Sequence, residues 1–356
     1  MTHEPAFVLR AGAQARQLLE QQGLTPDSLA ALGAPAGGPK FLVIAALDRF
    51  LFGDWLPQRR SPLPAFGASV GAFRLVAAAH RDPVAAIDRL VAAYCAQHYR
   101  ERPDAAEITR QVRGILDATL NHDDIEHVLA HPWLQLNLIT ARCLGLAASH
   151  QPAVQAIGFA LAFVNNLRHR RRLSASFERY LFHNQQRPAD ILLPDSFRNH
   201  VVRLTPDNLA AATLASGSIP LMMQTVRDIP AAPLGAHIDG GLIDYHMDLP
   251  LRESPSGLLF IPHYEQRVVP GWLDKGLRHR RARHVERMLV LSPNPALVAR
   301  LPGGKIPCRK DFSGYKGRDS ERLQAWQAAL SLGERIADEF RDMLARADVM
   351  TRLQPL

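Results

Sequence analysis

A single serine stands between two glycines in the segment Gly67-Ala68-Ser69-Val70-Gly71. The short apolar run before it predicts a buried strand, and the alanine-rich residues 70–81 after it predict a helix. A serine at such a sharp strand-to-helix turn is crowded by backbone, so the positions of Gly67 and Gly71 must lack a Cβ. The pattern is typical of a nucleophile elbow, where Ser69 lies at a helix N-terminus that favours developing negative charge. An ordinary serine–glycine turn is the alternative interpretation.

A second glycine-rich segment comes earlier in the chain. Gly37 and Gly38 follow a short apolar run and precede a predicted helix at 40–52. Adjacent glycines expose N–H groups that no side chain shields, and such donors form an oxyanion hole or a phosphate nest. Lys40 adds a positive charge at the same place. The segment is not a P-loop, because Pro39 separates the glycines from the lysine and no serine or threonine follows it. A tight turn leading into a helix is the alternative.

A third segment lies far down the chain, where Asp239 ends a short extended run and is followed by Gly240 and Gly241. The two glycines leave the carboxylate without steric cover, so it can project from a turn. Asp-Gly is also a strong signal for the type I′ turn of a β-hairpin. Taken alone, this segment favours the hairpin.

Together the three segments resemble the patatin-like phospholipase family, serine acyl hydrolases with a Ser–Asp dyad, over residues 27–250 or so. In this resemblance, Gly37, Gly38 and Lys40 match the oxyanion loop. Ser69 matches the nucleophile, with Gly67 and Gly71 on either side of it. Asp239 matches the acid of the dyad and is followed by Gly240 and Gly241. The segment Ala215-Ser216-Gly217-Ser218-Ile219-Pro220 resembles the family's Ala-Ser-x-x-x-Pro, with Ser216 and Ser218 structural. The chain departs from the family pattern at Ala36 and Phe41, where glycines are usual.

The resemblance implies a mechanism. Asp239 would act directly on Ser69, first as a base and then as an acid toward the leaving alcohol, while the amides of Gly37 and Gly38 hold the oxyanion. Lys40 would lie near a substrate phosphate or anchor the loop. No cofactor is implied, and the expected partner is a lipid ester substrate.

The pattern of helices and strands predicts an α/β fold, a mainly parallel central sheet flanked by helices, with a helical insertion after the elbow. The resemblance implies that this is the family's three-layer α/β/α arrangement. We expect one domain over residues 1–356, with the insertion at about 82–133 and a C-terminal extension at about 257–356. The predicted elements include helices at 8–22, 152–166 and 320–346, helices begun by Asp82 and Asp104, and strands at 134–140, 179–183, 200–204, 257–262 and 288–292.

Composition bounds the class of protein. With 47% hydrophobic and 21% charged residues, the chain reads as an ordinary globular protein. Three scattered cysteines favour neither a disulfide framework nor a metal cluster. No signal peptide or membrane-spanning stretch is expected, which favours a cytoplasmic location.

Histidines and arginines form further clusters. His127 and His131 have the spacing of a zinc pair but lack the glutamate of a zincin, so a polar helix face is favoured and no metal is predicted. The net charge is +8, and arginine runs occur at 168–172 and 278–281. They carry no interleaved aromatic residues, so we expect no nucleic-acid partner. A solvated face is the default, and peripheral contact with an anionic membrane, at its inner face, is the second expectation.

Three functions follow from these residues. The leading hypothesis is a lipid acyl hydrolase with an acyl-Ser69 intermediate. An α/β-hydrolase triad would keep Ser69 and Asp239 and add His263 or His279 as the base. A lipid- or anion-binding protein without chemistry is the third, motivated by the departures at Ala36 and Phe41. The sequence leaves phospholipid, lysophospholipid, neutral ester and thioester substrates open.

Overall fold

The computed structural model describes residues 4–99, 103–186, 195–251 and 257–356. At its centre is one eleven-stranded mixed sheet. The strands are β1 (Phe7–Ala11), β2 (Leu29–Ala34), β3 (Leu63–Ala68), β4 (Leu134–Cys143), β5 (Phe177–His183), β6 (Asn199–Arg203), β7 (Val226–Arg227), β8 (Ala236–Asp239), β9 (Leu258–Pro262), β10 (Met288–Pro293) and β11 (Leu353–Pro355).

The order of the strands across the sheet is β11-β1-β10-β9-β2-β3-β4-β5-β6, and β8 joins β4 and β7 beside this path. The central run from β10 to β4 is parallel, while β1 and β5 pair antiparallel with its two ends. The predicted α/β class with a mainly parallel sheet is confirmed. The expected C-terminal extension supplies β9, which lies beside β2, and β10, which lies between β9 and β1.

Helices flank the sheet on both sides. They are α1 (Ala13–Gln22), α2 (Ala45–Phe50), α3 (Val70–Ala78), α4 (Pro83–Cys95), α5 (Ala105–Thr119), α6 (Ile125–Leu129), α7 (Pro152–Arg168), α8 (Leu209–Gly217), α9 (Pro295–Val298), α10 (Lys310–Gly314), α11 (Asp319–Arg346) and α12 (Val349–Arg352). A large apolar cluster joins α2, α3 and α11 to one face of the sheet, and a smaller one joins α7 to β4 and β8. This arrangement agrees with three layers.

The segment after the elbow helix is helical, as predicted. Asp82 and Asp104 cap α4 and α5 by accepting hydrogen bonds from Ala85 N–H and Glu107 N–H. Residues 100–102 of this insertion lie outside the described residues. No helix within the described ranges is both long and apolar enough to cross a lipid bilayer.

Three local predictions differ from the structure in part or in full. The helix predicted at 8–22 begins only at Ala13, because Phe7–Ala11 pairs with Met288–Pro293 as an edge of the parallel run. The helix predicted at 40–52 is a 3₁₀ segment (Gly38–Ile44), then α2, then one π turn (Leu51–Trp55). The hairpin that Asp239 favours alone is absent, since a 3₁₀ turn (Gly240–Leu242) follows this residue.

Candidate active site

Ser69 lies between the end of β3 and the start of α3, with φ 56° and ψ −131°. A positive φ is strained for a residue with a side chain and is found at functional turns. The turn leaves no room beside it, because a Cβ on Gly71 would lie 1.9 Å from the carbonyl oxygen of Ala34. The hydroxyl of Ser69 makes no capping bond to α3. The segment has the geometry of a nucleophile elbow.

Strand register brings Ser69 to Asp239. In the parallel pair of β3 and β4, Ala68 is opposite Ile139. In the antiparallel pair of β8 and β4, Asp239 is opposite Thr140, the next residue of β4. The two strands therefore approach along the same edge of β4 from opposite directions, and their carboxyl ends meet.

The carboxyl end of α8, from Ser216 to Ser218, holds both strand ends in place. Ser69 N–H donates to Ser216 O at 3.0 Å, and Asp239 N–H donates to Ser218 O at 2.9 Å. The hydroxyl of Ser216 also accepts from Ser69 N–H and donates to Ile139 O. Two carbonyls of one turn thus fix the spacing between the residues of the proposed dyad.

Asp239 is a buried carboxylate in a mixed electrostatic environment. Burial raises its pKa above the ordinary carboxyl value, while Arg309, the Ser69 hydroxyl and Gly241 N–H oppose this rise. Gly241 N–H donates to Asp239 Oδ1 at 2.7 Å, and an Arg309 nitrogen lies 4.0 Å from Oδ2. A carboxylate with a raised pKa is a stronger base than one in water.

The glycine-rich loop faces the same site. Ala36 N–H donates to Tyr245 O, whereas the N–H groups of Gly37 and Gly38 donate to no backbone carbonyl in the described part of the chain. Gly38 has φ 58°, and a Cβ on Gly37 would lie 2.5 Å from the ring of Tyr264. The loop therefore requires glycine and keeps two amide donors unused.

Lys40 lies one turn further on and pairs with Glu265, while its Nζ lies 5.0 Å from the ring centre of Tyr264. Burial and repulsion from Lys275 and Arg309 lower the pKa of Lys40 to about 7. The ion pair with Glu265 favours the charged form. Lys40 thus anchors the loop and also lines the site.

Two cavities meet at Ser69. One, of about 300 Å³, has mainly apolar walls from α3, α5 and the loop after α8: Val70, Phe73, Ile108, Val112, Ile115, Ile219, Met222 and Met223. The other, of about 610 Å³, is lined by Gly37, Asp239 and four cationic side chains: Lys40, Lys275, Arg309 and Lys310. The first cavity thus has the larger set of aliphatic and aromatic side chains, and the second has the larger number of cationic ones.

Sequence reasoning missed Arg309. Its side chain lines both cavities, lies 4.0 Å from Asp239 and packs where a Cβ on Gly38 would be, 2.9 Å from its Nε. It also interacts with the hydroxyl of Tyr94, whose pKa burial raises to about 12. No motif surrounds Arg309, so only its basic character and the neighbouring Lys310 could have drawn notice.

The histidines of the triad alternative lie elsewhere. His263 is buried, burial lowers its pKa well below the usual range, and its Nδ1 accepts from Glu265 N–H. His279 is exposed in a loop. Among the described residues, no histidine lines either cavity.

In the pair with zinc-ligand spacing, His127 and His131, the second histidine holds the start of a strand. His131 Nδ1 accepts from Leu134 N–H at 2.9 Å, at the start of β4, and burial lowers the pKa of His131 to about 4. Within the described ranges, no group of three or more histidine, cysteine or acidic side chains is arranged to hold a metal ion.

No protein-family model matches this chain. No curated protein matches it either.

Proposed function

We propose that this chain is a serine acyl hydrolase of lipid esters that acts through Ser69 and Asp239. The observation that carries the proposal is the register on β4, which sets the elbow serine and a buried carboxylate at adjoining strand ends. The resemblance to patatin-like phospholipases supports the same pair. The unused amides of Gly37 and Gly38 supply what a tetrahedral intermediate needs.

In the proposed reaction, Asp239 takes the proton of the Ser69 hydroxyl as its oxygen attacks the acyl carbon. The amides of Gly37 and Gly38 hold the resulting oxyanion, and each such donor is worth about 3 kcal/mol of transition-state stabilisation. Asp239 then gives the proton to the leaving alcohol as the ester bond breaks. Water, activated by the same carboxylate, hydrolyses the acyl-Ser69 intermediate.

The two cavities suggest which part of the substrate lies where. The apolar cavity suits the acyl chain, because apolar walls gain free energy by covering hydrocarbon. The cation-lined cavity suits an anionic leaving group, because Lys275 and Arg309 repel Lys40 and an anion would relieve this repulsion. A phospholipid or lysophospholipid fits this division better than a neutral ester.

Hydrolysis assays with acyl esters of graded chain length, with and without a phosphate group, test the proposal. We expect Ser69→Ala and Asp239→Asn each to lower kcat/KM by at least about a thousandfold. Ser331→Ala, an exposed serine on α11, is the matched control and should behave like the parent protein.

His263→Gln separates the dyad from the triad. Near-full activity of this variant favours the dyad, and its loss with the fold intact favours the triad. Vesicle binding without turnover of any ester would favour the non-catalytic alternative.

A further inference from the structure

Helix α7 is apolar on two opposite faces. One face packs inward through Gly158, Phe159 and Ala162. The other presents five large apolar side chains, each between 41% and 55% exposed: Ile157, Leu161, Phe163, Val164 and Leu167. A helix that is apolar all round is normally buried, so the outward face of α7 lacks a partner within the described chain.

Further exposed apolar residues lie near this face. Leu146 precedes α7, and Leu221 and Met222 follow α8. The loop of Leu221 and Met222 is fastened to α7 by a hydrogen bond from Gln155 to Thr225. Met222 also lines both cavities at Ser69. The loop that Gln155 holds to α7 therefore carries exposed apolar side chains to the mouth of the site.

The two arginine runs converge at the carboxyl end of α7. Arg280 donates to the carbonyl oxygen of Asn166 at 2.7 Å, and Arg170 pairs with Asp274, which also accepts from Asn166. These contacts fold residues 168–172 and 278–281 against one another. The sequence separates the runs by more than a hundred residues, and the fold unites them.

The other arginines of the two runs, at the carboxyl end of α7, are exposed. The exposed members are Arg168, Arg171, Arg172, Arg278 and Arg281, and none pairs with an acidic side chain of the described residues. Of the acidic residues near the runs, Asp274 is fully buried and already bonded, and Asp248 accepts hydrogen bonds from Arg283 N–H and His284 N–H. The surface is thus an exposed apolar helix face with uncompensated positive charge at its end.

We propose that α7 and the two arginine runs form a docking surface for an anionic lipid bilayer. The apolar face enters the boundary between headgroups and acyl chains, and the arginines contact the lipid phosphates. The exposed arginines beside the apolar face favour a surface of negative phosphates, which an anionic membrane has and an apolar protein groove lacks. This surface does not depend on the chemistry of Ser69, so it can be tested in Ser69→Ala.

The test is co-sedimentation of the full chain with vesicles of phosphatidylcholine containing about 30% phosphatidylglycerol, which gives the vesicles a negative surface potential. We expect binding to these vesicles and much weaker binding to pure phosphatidylcholine. Arg171→Gln with Arg172→Gln should weaken binding by at least about tenfold, since each surface arginine contributes about fivefold. Ile157→Ser with Leu161→Ser should weaken it comparably.

Matched controls show whether binding depends on where the charged and apolar side chains lie or only on how many the protein has. Arg16→Gln with Arg60→Gln removes the same two charges from exposed sites away from α7, and Val201→Ser with Leu323→Ser removes exposed apolar groups elsewhere. Both pairs should bind like the parent protein. Equal losses in the controls, no binding by the parent, or self-association through α7 in place of vesicle binding would overturn the proposal.

Discussion

At the scale of single residues, the proposed reaction depends on Asp239, whose carboxylate lies 4.0 Å from an Arg309 nitrogen. Burial raises the pKa of Asp239, and the cation 4.0 Å away opposes that rise. The proposed base must be ionised in the free enzyme, so kcat/KM should fall as the pH drops through its pKa.

Removing the positive charge of Arg309 should change the pH at which kcat/KM falls on the acidic side of its pH profile, here called the acidic limb. Arg309→Gln takes away a group that lowers the pKa of Asp239, so the acidic limb of the kcat/KM profile should shift to higher pH. Arg309→Lys keeps the charge and is the control, with a limb close to that of the parent. An unchanged limb in Arg309→Gln would mean that Asp239 is not the titrating base.

The same carboxylate should cost stability at neutral pH. Its folded pKa lies above the ordinary 3.8, so the native state binds more protons than the unfolded state between those two values. Stability is therefore lost as the pH rises through this window. Asp239→Asn should raise the melting temperature at pH 7, and this gain should shrink as the pH falls through the folded pKa of Asp239 and below the unfolded value of 3.8. A lower melting temperature of Asp239→Asn at pH 7 would contradict this account.

Phe41 shows why a departure from a family pattern can be compatible with the site. Its ring is buried and packs edge-on against Tyr94 at 5.2 Å, and Tyr94 lines the apolar cavity. Phe41 therefore supports a cavity wall through Tyr94. The sequence alone contains no sign of this contact.

At the scale of elements, the elbow helix is held by a buried ion pair. Arg74 on α3 donates to both carboxylate oxygens of Asp48 on α2, at 2.7 and 2.8 Å, and both side chains are almost fully buried. This pair fixes the helix that begins directly after Ser69. Removal of one partner would leave the other charged and unpaired in the core.

Asp48→Asn should therefore destabilise the protein by about 3–5 kcal/mol, the usual cost of an uncompensated buried charge. Denaturant unfolding measures the change. Asp338→Asn removes a carboxylate from the exposed pair with Arg341 on α11 and is the matched control, with little change in the midpoint. Equal changes in the free energy of unfolding for the two variants would show that the buried pair contributes no more to stability than the exposed pair.

At the scale of the whole molecule, what the sequence predicts depends on how local the signal is. Short apolar runs, turn residues and helix caps indicate the strand-to-helix turn at Ser69, the glycine pair and the later strands. These features could therefore be predicted. Residues 8–11 were predicted as helix because the strand there depends on pairing with residues 289–293 and 353–355. A pairing of such distant residues leaves no local periodicity.

The candidate site divides in the same way. Its parts could be identified from Gly37, Gly38, Ser69 and Asp239, because each has a local pattern. Their meeting depends on the register of β3 and β8 on β4 and on the carboxyl end of α8, and no local pattern in a single sequence predicts either. Arg309 comes from beyond the region of resemblance and carries no pattern of its own.

The central claim is that Ser69 is a nucleophile activated by Asp239. Intact-mass measurement after treatment with a fluorophosphonate probe tests it most directly, with peptide mapping to locate the adduct. We expect one phosphonyl group on Ser69 of the parent protein, none on Ser69→Ala and a strongly slowed reaction in Asp239→Asn. An unmodified parent chain, or an adduct that persists in Ser69→Ala, would contradict the account.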